Sequence, residues 1–166
     1  MKTLAFIVGA VAVIVNLTIY WQTDRKRLLM TKTSNDVLWG LHYALLGAFS
    51  GTGIALISVI RGIVFLNEEK KWASGKKWLW IFLVLSLLSA VLTYKNPSSL
   101  LPLFASLMAV VSFWQKKPHL TRLLAFPIAL SMLIYDMYVG SVMGIVNESI
   151  VIISASLAVI KLKSKE

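Results

Sequence analysis

Only a handful of side chains in this sequence can do chemistry, and they lie inside apolar runs. His42, Arg61, Asp136 and Glu148 are the ionisable residues found there. An ionisable group at the centre of a membrane helix costs at least ~2.5–3.5 kcal/mol, so each needs a role. His42, with an unperturbed pKa of ~6.5, could carry a proton near neutral pH; equally it could be a neutral imidazole bonded to a neighbouring helix. Asp136 either lines a polar cavity or lies at an interface. Tyr43 and Tyr135 could offer a hydroxyl and an aromatic face to a ring-shaped solute, or pack in an aromatic belt. Trp39 is a further candidate for binding the solute. Asn16 and Asn147 suit either a cavity or a helix–helix hydrogen bond. Arg61 can snorkel to a helix end, and its direct pairing with Glu148 is the less expected alternative. None of these sets resembles a catalytic one. There is no His-Glu-x-x-His, no Gly-x-Ser-x-Gly and no Gly-rich loop followed by Lys. His42 and His119 stand far apart, so neither a metal nor another cofactor is expected, and an enzyme is not expected.

The elements that hold these residues are set by composition. Of 166 residues, 58% are hydrophobic and 14% charged, against typical values of ~45–50% and ~25%. A soluble chain of this length cannot hide so much apolar surface, so lipid is its expected solvent. The net charge of +10 would suggest nucleic acid in a soluble protein. Here the basic residues cluster between apolar runs, which is a topology signal instead. With no cysteine, disulfides and thiolate chemistry are excluded.

The first run is Leu4 to Trp21. It is long for a signal-peptide core and no small-x-small site follows, so a retained span is expected. A basic loop over 23–36 comes next. Val37 to Leu66 is too long for one crossing and must turn near Gly47–Gly53, giving helices at 36–50 and 53–67. A polar loop covers 67–77. A fourth span runs from Trp78 to Tyr94 and a fifth from Ser99 to Gln115, each stopped by a Lys/Pro break. Leu123 to Ile160 must also fold back, at Gly140 and Gly144. The result is an all-α integral membrane protein of seven spans. Lys2 and Lys95 then lie on one face and fourteen basic residues on the other. The positive-inside rule puts the N-terminus outside and the C-terminus in the cytoplasm, with Lys161, Lys163 and Lys165 at the anionic inner leaflet.

Displaced by 93 residues, the chain matches itself at its breaks. Tyr20-Trp21-Gln22 falls on Phe113-Trp114-Gln115, Gly47 on Gly140, Gly51 on Gly144, and His42-Tyr43 on Tyr135-Asp136. A three-helix repeat is odd, so a linker helix must restore its orientation. This predicts two parallel three-helix repeats plus a linker, 3+1+3: residues 1–67, a loop and linker at 68–95, and 96–166 with a basic tail. In such folds the solute site lies between the repeats.

The segment Leu41 to Gly47 followed by Ile60-Arg61, with Tyr138-Val139-Gly140-Ser141 and Glu148, resembles the YgjV-type family of bacterial inner-membrane proteins. That family is distantly similar to the PQ-loop, SWEET-like and PnuC-like transporters. The resemblance implies a multi-pass bundle in the bacterial inner (cytoplasmic) membrane, built around a central midplane site. The Pro-Gln pair of PQ-loop proteins is missing: Trp21-Gln22 and Trp114-Gln115 stand instead, which puts a proline hinge in doubt. The function expected is transport of a small polar or aromatic solute by alternating access, with a non-transporting receptor or sensor of the same fold as the alternative. The lipid bilayer and that solute are the expected partners, self-association into a homo-oligomer is left open, and nucleic acid is not expected.

Overall fold

The computed structural model of the chain describes residues 1–19, 24–114 and 118–163. Among these, the regular structure is helical: α1 (Lys2–Ile19), α2 (Arg25–Leu45), α3 (Phe49–Leu66), α4 (Lys77–Thr93), α5 (Leu100–Trp114), α6 (Pro118–Val139) and α7 (Val142–Lys163), with a 3-10 turn at Pro97–Ser99 before α5. Seven helices agree with the number of spans expected. Their bounds correct several expectations. The basic stretch expected as a loop over 23–36 is mostly the first half of α2. Nothing in it breaks a helix, and Asp24 caps it by accepting a hydrogen bond from the Arg27 N–H at 2.9 Å. One consequence is that His42 falls in the last turn of α2 rather than near its middle.

The turn after α2 is also tighter than expected. Gly47 alone takes a left-handed conformation, φ 69°, and the Ala48 N–H bonds back to the Tyr43 carbonyl at 2.9 Å. This is the Schellman closure, in which one glycine reverses the chain. Helix α3 therefore starts at Phe49, and Gly51 and Gly53 lie inside it. The α6–α7 turn is built the same way, with Gly140 at φ 71° and the Ser141 N–H on the Asp136 carbonyl at 2.8 Å. Pro118 opens α6 rather than only ending what precedes it, as suits a residue without an N–H in a first turn. Helix α7 continues to Lys163, so Lys161 and Lys163 extend a helix instead of starting a tail. Tyr20-Trp21-Gln22, Gln115 and Lys165 lie outside the described residues.

Polarity is distributed inside out. Large apolar side chains such as Leu56, Trp80, Leu92 and Met137 face outward, while Ser86, Ser106, Ser131 and Ser141 are buried. Water would not tolerate that surface on a monomer, whereas lipid favours it. The Ser86 hydroxyl donates to the Phe82 carbonyl at 2.8 Å and meets the Ser106 hydroxyl across α4 and α5 at 2.8 Å. By length and apolarity alone, α1 and α3 qualify as full crossings; α4 to α7 carry shorter apolar stretches. Helix α2 is the polar one of the set. Around the bundle, α1 packs on α2 and α2 on α3, while α5 packs on α6 and α6 on α7. Helix α4 lies between α3 and α5, α1 meets α7, and α3 meets α5.

Candidate functional site

The helices enclose a cavity of about 380 Å³. Helical periodicity explains its most polar wall. Lys32, Asp36, Trp39 and Tyr43 are spaced four, three and four residues apart, which sets them on one face of α2. Asn16 comes from α1, Ser58 and Arg61 from α3, and Asn147 and Glu148 from α7. Opposite the α2 stripe, α6 contributes Ala125, Ala129 and Met132, 93 residues beyond Lys32, Asp36 and Trp39. The same displacement relates Asn16 to Ala109, Ile19 to Ser112, Asn35 to Ile128, Ile54 to Asn147, Ala55 to Glu148 and Ser58 to Val151, all of them lining residues.

Within the cavity the polar groups form connected sets. Asn16 Nδ2 donates to Asn147 Oδ1 at 2.6 Å, and Asn147 Nδ2 donates to Glu148 Oε1 at 2.9 Å. Lys32 Nζ lies 3.3 Å from Asp36 Oδ2. Arg61 is buried, and its Nη2 donates to the Ser58 hydroxyl at 3.1 Å. Ser58 precedes it by three residues, so the guanidinium turns back along α3 rather than snorkelling to the helix end.

Toward the end of the bundle that carries the Gly47 and Gly140 turns, a packed polar layer closes the cavity. The Tyr43 hydroxyl donates to Asp136 Oδ1 at 2.9 Å, joining α2 to α6, with Tyr43 nearly and Asp136 fully buried. The His42 ring touches the Ala5 carbonyl through Nδ1 and the Ser141 hydroxyl through Nε2, both at 2.8 Å. A carbonyl only accepts, so Nδ1 carries a hydrogen. The Ser141 oxygen also accepts the Gly144 N–H at 3.0 Å while it faces His42 Nε2. Ser141 is thus both the cap of α7 and the anchor of His42. At the corresponding place in α3 stands Ala48, which has no hydroxyl. There the Tyr135 hydroxyl accepts the Gly51 N–H at 3.0 Å instead. The Tyr43 and Tyr135 rings pack with centroids 6.0 Å apart.

Two glycines permit this closeness. A Cβ on Gly51 would meet the Tyr43 ring at 2.9 Å, and one on Gly144 would collide with the Asp136 carboxylate. Position 43 thus lies on Gly51, position 136 lies on Gly144, and the two bond to each other.

The expected site residues therefore separate into two groups. Asn16, Trp39 and Tyr43 line the cavity, as do Arg61 and Glu148. His42, Tyr135 and Asp136 belong to the closing layer and are not among the lining residues. Lys32, Asp36 and Ser141 were missed. The first two lay in a presumed loop, although their spacing to Trp39 and Tyr43 already follows a helical face.

A family model described as a bacterial inner membrane protein, Imp-YgjV, matches residues 3–166. The chain belongs to this family. A similar relative is the inner membrane protein YgjV of Escherichia coli K12, 22% identical over 154 residues, covering 93% of this chain and 81% of that protein. No solved structure gives a significant match. The Imp-YgjV family places the protein in the bacterial inner membrane, which accounts for the outward-facing apolar residues and the polar interior. Chemistry inside the bundle rests on the geometry above.

Proposed function

We propose that this membrane protein moves a small polar or aromatic solute by alternating access, with two parallel three-helix repeats rocking about the cavity. The observation that carries this is a cavity with charged walls that a polar layer closes at the turn end. A single hydrogen-bonded layer, centred on Tyr43 and Asp136, seals the cavity at the turn end. The lining continues the other way to Lys32, Ser112 and Ala125. A static pore would need no seal, and a buried structural cavity would not carry Lys, Arg, Asp and Glu through its walls.

The repeat reading has its own support. Helices α2 and α6 start 93 residues apart, and so do α3 and α7. The two glycine turns share one conformation. Nine pairs of lining residues are related by the same displacement. With α4 as linker, α1–α3 and α5–α7 are the moving units, an arrangement of SWEET-like type. The positive-inside rule orients the sealed end outward, with N-terminus outside and C-terminus in the cytoplasm. The cavity is then drawn toward the cytoplasmic side. A receptor or sensor of the same fold is the second reading, because the sealed layer would serve ligand-induced closure equally well.

Exchange across proteoliposomes separates them. Purified protein is reconstituted with trapped pools of labelled small polar and aromatic solutes, and efflux is followed on adding unlabelled solute. Protein-dependent exchange of at least one solute is expected. Saturable binding without exchange would favour the receptor.

A further inference from the structure

The cavity is layered by charge, and its middle layer holds the carboxyl group of Glu148. Glu148 lies six residues into α7 and Trp39 six residues before the end of α2, so both sit about 9 Å inside the turn end of the bundle. Arg61 lies twelve residues into α3, about 9 Å deeper. The Lys32 ammonium of the same cavity acts electrostatically on Glu148, and the hydrogen bond to the Glu148 carboxylate comes from the neutral Asn147 amide. A carboxylate only accepts, so Asn147 must turn its NH2 toward it, and the Asn147 carbonyl is taken up by Asn16. This chain across α1 and α7 fixes the carboxylate and supplies one neutral donor. Glu148 and Trp39 line the same cavity.

Resting on the solute-site reading of this cavity, we propose that the middle layer binds a protonated amine: the solute's ammonium sits on Glu148, against the Trp39 indole, with its ring or chain filling the space toward Met132. Three physical facts point the same way. A carboxylate away from bulk water attracts a cation far more strongly than in solution. Indole is the best aromatic face for a cation. A cavity of about 380 Å³ is near the lower limit for small-ligand pockets, which fits a one-ring solute.

The experiment uses the full chain in lipid nanodiscs, titrated calorimetrically at neutral pH with empty nanodiscs as blanks. Three probes share one ring: tyramine, its alcohol analogue 4-(2-hydroxyethyl)phenol, and the anion 3-(4-hydroxyphenyl)propionate. Tyramine should bind at least about tenfold more tightly than the alcohol, and the anion most weakly, because ionic hydrogen bonds exceed neutral ones. Glu148→Gln should bring tyramine and the alcohol to within about twofold, and Glu148→Asp should retain the preference. Equal affinities, preference for the alcohol or the anion, no binding of any probe, or a preference that survives Glu148→Gln would each overturn the proposal. Should Glu148→Gln fail to fold, the ranking on the unaltered protein still decides. Ammonium preference without exchange in proteoliposomes would sink transport but keep this site. Exchange of solutes with no ammonium preference would do the reverse.

Discussion

Tyr43→Phe removes one hydroxyl from the layer that seals the cavity. The phenyl ring keeps its packing against Trp39 and Tyr135, with centroids 6.0 Å away in each case. What is lost is the 2.9 Å bond to Asp136, the direct hydrogen bond between the α2 and α6 sides of the seal. Interhelical hydrogen bonds in membranes average about 0.6 kcal/mol, and bonds to charged groups reach about 1.5–3 kcal/mol. A bond present only in the sealed state contributes that amount to the seal, so its loss favours opening by about threefold to about 150-fold. The chain has no cysteine, which makes the measurement clean. Ala55→Cys places a thiol on the cavity wall, at a residue that is nearly buried now. Its labelling by a membrane-impermeant maleimide is timed from the outer face of right-side-out vesicles, with and without Tyr43→Phe. The substitution should speed outer labelling by at least threefold while labelling from the cytoplasmic face slows or holds. If outer labelling stays the same in a folded variant, the Tyr43–Asp136 layer is packing and not a seal.

Tyr135→Phe leaves the Gly51 N–H without its acceptor and should lower stability by about 0.5–2 kcal/mol, as for a lost helix cap. Adding Ala48→Ser, which copies the Ser141 cap of α7, should restore part of that melting temperature. Gly144→Ala drives a methyl group into the Asp136 carboxylate and should cost about 1–3 kcal/mol in a thermal or denaturant melt. His42→Ala leaves the Ala5 carbonyl and the Ser141 hydroxyl without a shared partner. It should lower stability by about 1–3 kcal/mol yet leave solute affinity within about twofold, because His42 is outside the cavity lining.

Much of the bundle was legible because lipid leaves a coarse signal. Apolar runs, Lys/Pro breaks and the two glycines at 47 and 140 gave seven helices and both sharp turns. The α2 boundary was hidden for a physical reason. A basic segment between spans looks like a loop, and only tertiary packing tells whether it is wound. Winding it moved His42 to the seal and brought Lys32 and Asp36 into the cavity. The 43–136 relation was readable, since both residues sit four before a matched glycine. Ala125, Ala129 and Met132 were not, because small apolar residues say nothing about what they face. The exchange of caps between Ser141 and Tyr135 was likewise invisible, as it depends on a contact 84 residues apart in sequence.

The central claim is that the sealed turn end is one of two states. Phe49 and Val142 are exposed first residues of α3 and α7, one beside each glycine turn. Spin labels on cysteines at these two positions report the width of that end by double electron–electron resonance in nanodiscs. The account predicts two distance populations, the longer one growing with Tyr43→Phe and the balance shifting when a bound solute is added. A single distance, unmoved by the substitution and by solute, would contradict it.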